Sequence, residues 1–219
     1  MAEMGAYEAM STLRAVRRLR PDPIPDAVLH RVLEAATFAP TGGNVQPWRI
    51  VAVKDQALKG PIGRLYNERW INYSKIYRAA IPATASAEAR ARAERTLKAG
   101  DYLGEHFHQA PVIAIFCFNP KNMAITDAKQ DRVSVVGGGS VYTAVENLLI
   151  ACRVEGLGCV LTTLLCECEP EVRQVLSIPD PWYTAAAIPI GYPVGRGHGP
   201  LIRKPVEQLA YLDSWGNPI

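Results

Sequence analysis

Residues 40–48 read Pro40-Thr41-Gly42-Gly43-Asn44-Val45-Gln46-Pro47-Trp48. Taken alone, the stretch is a connection between a helix and a strand, because glycine, asparagine and proline are ordinary turn residues. The same residues also suit a ligand. Two glycines let backbone approach a bound molecule closely. Asn44 and Gln46 each carry an amide that both donates and accepts, and Pro47 and Trp48 stiffen the exit. Such a set suits a flat heterocycle that presents carbonyls and ring nitrogens. On the N-terminal side, Val28, Leu29, Val32, Leu33 and Ala36 fall on one helical face, with Asp26 in the first turn and the helix ending before Pro40. On the C-terminal side, Arg49 to Val53 reads as a strand.

Further out, Tyr7 to Ala15 is compatible with a helix that Pro21, Pro23 and Pro25 prevent from continuing. Val112 to Phe118 is a continuous apolar run, the pattern of a buried strand. Ala79 to Gly100 is rich in Ala, Arg and Glu and reads as a helical excursion on the outside of the fold, and residues 119–139 are polar, glycine-rich and without a clear period. Val141, Ala144, Val145, Leu148, Leu149 and Cys152 line one side of a long helix that Gly156 and Gly158 close. Cys159 to Leu165 is a second buried strand candidate, Glu169 to Leu176 a short helix and Thr184 to Gly191 a strand. The alternation lacks a regular βαβ rhythm, which favours α+β layers over a doubly wound sheet.

The chain has 219 residues, 48% hydrophobic and 21% charged, which excludes a disordered chain, a collagen and a disulfide-stapled mini-protein. Its longest apolar runs fall far short of the roughly 20 residues of a spanning helix. A net charge of +3 from 24 basic and 21 acidic side chains is too balanced for a nucleic-acid coat. The five cysteines are odd in number, and Cys166-Glu167-Cys168 has no histidine pair nearby, against a disulfide framework or a structural metal. The first ten residues lack a secretory pattern, so a cytoplasmic location is expected. No repeat or linker divides residues 1–219, so one domain is expected.

Arg14, Arg17, Arg18 and Arg20 fall within seven residues, as a solvated face or as an anion site suited to phosphate oxygens. Gly137-Gly138-Gly139 precedes a helix without the spacing of a dinucleotide fingerprint and reads better as close packing or a mobile loop. Gly156 to Thr163 could turn hydroxyls and amides toward a bound ring, or could simply cap a strand. Arg203-Lys204-Pro205 could deliver a second phosphate-binding arginine, or be a polar tail. No G-x-S-x-G or H-E-x-x-H occurs, and none of His30, His106, His108 and His198 has an evident nucleophile partner. Binding loops without visible acid–base machinery are what a cofactor-driven enzyme requires.

These pieces together resemble the nitroreductase family of FMN oxidoreductases, from about Arg14 to Trp215. The likeness rests on the segments Arg14–Leu19, Ala35–Trp48, Asn147–Gly158, Ile188–Pro193 and Arg203–Pro205, in the family's order. It implies a three-layer α+β fold with a central mixed, mainly antiparallel sheet. It also implies an intertwined homodimer with FMN at the interface, and NAD(P)H as hydride donor to nitroaromatic, quinone or related acceptors. Carried over by position, Arg14 and Arg203 hold the FMN phosphate, and Arg17 lies near the ring's N1 and O2 edge. Pro40, Thr41, Gly42, Asn44 and Gln46 contact flavin in part from the partner subunit, while Leu161, Thr162 and Thr163 lie near N5. No protein nucleophile is implied. Leu13 and Ala15 stand where the family has an arginine and a serine, which removes one phosphate contact and one hydroxyl. Residues 79–139 carry no motif and correspond to the region that shapes the substrate pocket. A flavin-fragmenting or dehalogenating branch of the fold, or a non-catalytic flavin- or deazaflavin-binding protein, are the alternatives.

Overall fold

The computed structural model describes residues 4–82 and 86–219. Among these residues four strands form one sheet in the order β1-β2-β4-β3: β1 is Trp48–Val53, β2 Val112–Phe118, β3 Gly158–Cys159 and β4 Tyr183–Gly191. Every ladder is antiparallel, and the parallel component expected of a mixed sheet is a single bridge, Ala15 to Cys159. The register sets Trp48 opposite Phe118 and Val112 opposite Ile190.

Two apolar layers cover this sheet. On one face α2 (Asp26–Thr37) and α5 (Gly139–Val154) pack Leu29, Val32, Ala36, Val145 and Leu148 against Ala114, Phe116 and Ile188. On the other, α3 (Gln56–Ala79) and α6 (Glu169–Leu176) pack Ile62, Tyr66 and Val172 against Ile113, Ile115 and Ala187. Alternate β2 residues thus serve opposite layers, which explains why that strand is apolar throughout.

Several boundaries differ from the sequence expectations. The first helix, α1 (Ala6–Thr12), stops short of Ala15, because residues beyond it run extended: Val16 N–H donates to Cys159 O at 2.9 Å, and Leu19 bridges Pro193. The stretch before Ala79, unassigned from sequence, is the 24-residue α3. The external excursion is α4 (Ala87–His106), with residues 83–85 outside the described set; it docks where Gly100 and Gly104 receive the Trp70 ring. A Cβ on Gly100 would sit 2.1 Å from that ring.

The expected strand from Cys159 to Leu165 is cut short. Its ladder with β4 covers Gly158 and Cys159 and resumes as one bridge, Thr162 to Ala187. The register is continuous, so of the two positions between, Val160 falls opposite Pro189, which has no N–H to donate. Leu164–Cys168 is then a tight helical turn. Of the two glycines read as closing α5, Gly156 does so at φ +74°, with Leu157 N–H returning to Cys152 O at 2.8 Å. Gly158 belongs to β3.

Candidate functional site

The segment after α1 builds one wall of a cavity of about 290 Å³. Val16 turns inward and is buried, and a Cβ on Gly158 would lie 2.7 Å from Val16 Cγ1 and 2.9 Å from Leu19 Cδ2. Glycine is therefore what lets residues 14–17 lie against β3. With Val16 facing in, Arg14, Ala15 and Arg17 line the cavity, facing Leu161 on the strand side, Arg203 on the C-terminal side, and Glu146 and Leu149 of α5.

The charges are arranged unevenly. Arg20 pairs with Asp22, and Arg18 lies over the Tyr102 ring at 4.7 Å. Among the described residues, no carboxylate lies within ion-pair distance of Arg14, Arg17 or Arg203. Arg14 Nε donates to Pro200 O at 3.0 Å, with Nη2 on the same oxygen, and Arg203 Nη1 donates to its neighbour's carbonyl, Ile202 O, at 3.0 Å. Three guanidinium groups share one cavity with Glu146 as its acidic member. The donor set suits a phosphate, because arginine's planar fork matches its oxygens.

The strand end contributes less hydroxyl chemistry than its sequence suggests. Thr162 N–H and C=O are both used by Ala187, and its hydroxyl accepts from Leu164 N–H at 3.4 Å. Burial pushes the Tyr66 phenol up, with Thr162 and Arg17 pulling it back. Thr163 is exposed and borders a second, more apolar cavity of about 690 Å³ that includes Phe118, Tyr142 and Leu164. Tyr142 donates to Ala185 O at 3.0 Å, and Gly138 makes room for its ring, so of the glycine triplet Gly138 serves packing. Asp127 folds the residues around this second cavity by accepting from Ser134 Oγ at 2.6 Å and Val135 N–H at 3.0 Å.

Pro40, Thr41, Gly42, Asn44 and Gln46 line neither cavity of their own chain. Their loop is exposed and strongly shaped: Gly43, Asn44 and Gln46 have φ of 59°, 55° and 50°. Gln46 N–H donates to Thr41 Oγ1 at 3.0 Å, and Gly42 N–H to Ser140 Oγ at 3.2 Å. Left-handed non-glycine residues persist where neighbours over-determine them. The loop thus sits at the start of α5, whereas the arginine cavity uses Glu146 and Leu149, roughly 9–14 Å further along that helix at ~1.5 Å per residue. One chain does not bring the two halves of the expected site together.

His198, passed over in sequence for lack of a nucleophile, is buried beside the arginines. Its Nε2 donates to Leu157 O at 2.8 Å, and its Nδ1 accepts from Arg14 N–H at 3.3 Å. Gly199 N–H donates to Thr12 O at 3.0 Å, so residues 198–200 clamp the entry to the arginine segment. The readable signal was a histidine set between Gly197 and Gly199, just before Arg203.

The fold and cavity define an α+β protein with an arginine-lined cavity beside β3. Residues 12–192 match the nitroreductase family, and the chain belongs to that family. It is 31% identical over 210 residues to an NADH dehydrogenase of Thermus thermophilus, spanning 94% of this chain and 95% of that protein. It is 30% identical over 210 residues to a 5,6-dimethylbenzimidazole synthase of Rhodobacter capsulatus, spanning 95% and 93%. Iodotyrosine deiodinase 1 of Rattus norvegicus is 30% identical over 205 residues, 93% of this chain and 67% of that protein. A crystal structure of oxidized iodotyrosine deiodinase bound to FMN and 3-iodo-L-tyrosine superposes with a TM-score of 0.66 at 24% identity, covering 92% and 94%. Among the described residues no helix is long and apolar enough to cross a membrane, and no acid, histidine or cysteine cluster could hold a metal ion.

Proposed function

We propose that the protein is an FMN-dependent oxidoreductase that takes reducing equivalents from NAD(P)H and passes them to a small organic acceptor of the nitroaromatic or quinone kind. The observation that carries this reading is the convergence of Arg14, Arg17 and Arg203, without carboxylate partners among the described residues, on one cavity edged by Leu161. Arg14 and Arg203 would hold the phosphate. When bound, FMN supplies two-electron hydride exchange. Arg17 keeps a permanent positive charge at the cavity and favours negative charge developing beside it. Leu13, Leu149 and Leu201 give the same cavity its apolar walls. The apolar space beyond Thr163 would receive a flat acceptor.

The Pro40–Gln46 loop lines no part of this cavity, which supports a homodimer in which each loop completes the partner's site. All five cysteines are unpaired, which suits a reducing cytoplasm.

The test is the visible spectrum after FMN reconstitution, followed by anaerobic NADPH and NADH titration. Bound flavin that bleaches and reoxidises with an acceptor is expected; absence of flavin absorbance after reconstitution refutes the reading. Mixing Arg14→Ala and Asn44→Ala subunits tests the dimer, since hybrid dimers recover one intact site. A second reading, reductive dehalogenation, is favoured by the 30% identity to iodotyrosine deiodinase 1. There a carbon–halogen bond takes two electrons and a proton to give C–H and halide. Halide release from a halogenated phenol under NADPH separates the two readings.

A further inference from the structure

We infer that His198 is a positioning residue of the anion cavity: as a neutral imidazole it ties the Arg14 backbone to Leu157 and seats the Arg14 guanidinium, and its protonation loosens phosphate-bearing ligand. The inference rests on the FMN reading for its ligand, and on His198 geometry for its mechanism.

His198 is 7% exposed, and both ring nitrogens are committed. A carbonyl can only accept, so Leu157 O fixes the proton on Nε2. A backbone N–H can only donate, so Arg14 fixes the lone pair on Nδ1. The Arg14 bond therefore requires the uncharged ring, whereas the Leu157 bond survives protonation, and a second proton would face the Arg14 N–H head-on. The charged groups around the ring are cations: Arg153 of α5 and the Arg14 guanidinium next to Gly199 and Pro200. α1 presents the Thr12 carbonyl, which Gly199 N–H occupies, and the strand side presents the Leu157 carbonyl. Burial first, with Arg153 assisting and the Leu157 bond opposing, pulls the imidazole below its ordinary value. The neutral clamp is thus complete above the ordinary histidine range and is lost as acid titrates the folded form.

The geometry dictates two contrasting variants. In His198→Asn the side-chain oxygen occupies the Nδ1 position and accepts from Arg14 at any pH. In His198→Gln the amide reaches the Nε2 position and Leu157, and Arg14 N–H loses its acceptor. FMN and riboflavin affinities are measured from about pH 7.5 to about 5.5, either side of the ~6.5 of a free imidazole. Wild type should lose FMN affinity on acidification roughly fivefold more than His198→Asn, the worth of about one hydrogen bond. The ligand phosphate's own titration is common to both proteins and cancels. His198→Gln should bind FMN roughly fivefold more weakly at the upper pH, and riboflavin should show none of these differences. Parallel wild-type and Asn profiles overturn the inference.

Hydrogen exchange of the Arg14 amide in the flavin-free protein gives a readout independent of any ligand. Its protection should fall on acidification in wild type and stay constant in His198→Asn. Failure of FMN to bind wild type at the upper pH would refute the FMN reading alone, while constant Arg14 protection in wild type would overturn the role of His198 whatever the ligand.

Discussion

Replacing Arg203 by alanine isolates the phosphate contribution to binding. The side chain is exposed, and its one hydrogen bond goes to its neighbour's carbonyl, Ile202 O, so the fold loses almost nothing. Exposed substitutions of this kind fall within about 0.5 kcal/mol, and the melting temperature of the flavin-free protein should stay close to wild type. A charge-assisted hydrogen bond is worth about 1.5–3 kcal/mol, so FMN affinity should fall roughly ten- to hundredfold. Riboflavin lacks the phosphate and should bind the variant and wild type alike. Arg14→Ala differs in kind, since it also removes the bonds to Pro200 and should cost apo-protein stability as well. Flavin fluorescence titration with both ligands, alongside thermal unfolding, reads all of these. An FMN affinity unchanged within about threefold, or an equal loss for riboflavin, refutes the assignment of this cavity to the phosphate.

Three further outcomes follow from packing and charge. Gly158→Ala places a methyl 2.7 Å from Val16 Cγ1 and should cost about 1–3 kcal/mol by overpacking; urea unfolding reads the loss, and FMN affinity should fall with it because Arg14 and Arg17 flank Val16. Leu148→Ala empties a fully buried position between α5 and the sheet and should cost about 2–5 kcal/mol in the same assay. Asp127 titrates at about 2, held down by the Ser134 hydroxyl first, against burial, and then by Val135 N–H and Arg132. Its folded value lies below the ordinary 3.8, so its contribution is complete above that value and lost as pH falls toward 2. Wild type should therefore lose stability more steeply than Asp127→Asn over that interval, and identical acid unfolding curves would refute the role of this carboxylate.

Much of the architecture was readable from local pattern. The apolar run Val112–Phe118, the one-sided helix from Val141 to Cys152 and the turn residues from Pro40 to Trp48 are each short-range signals, and all three lie where periodicity and turn chemistry put them. The reading failed where the deciding partner is distant in sequence. Nothing within Cys159 to Leu165 says that Pro189 will face it and withhold an N–H. Ala15 reads as helical until Cys159 offers Val16 a carbonyl.

The same division holds for the site. Residue types alone made Arg14, Arg17, Arg18, Arg20 and Arg203 candidates for an anion, because guanidinium chemistry needs no context; the family resemblance singled out Arg14, Arg17 and Arg203. Tertiary structure decided that these three share a cavity while Arg18 and Arg20 are spent on Tyr102 and Asp22. It also set the Pro40–Gln46 loop at the far end of α5 and gave His198 its place. A hydrogen bond across 184 residues of chain exists only once the chain has folded, so no local pattern could announce it.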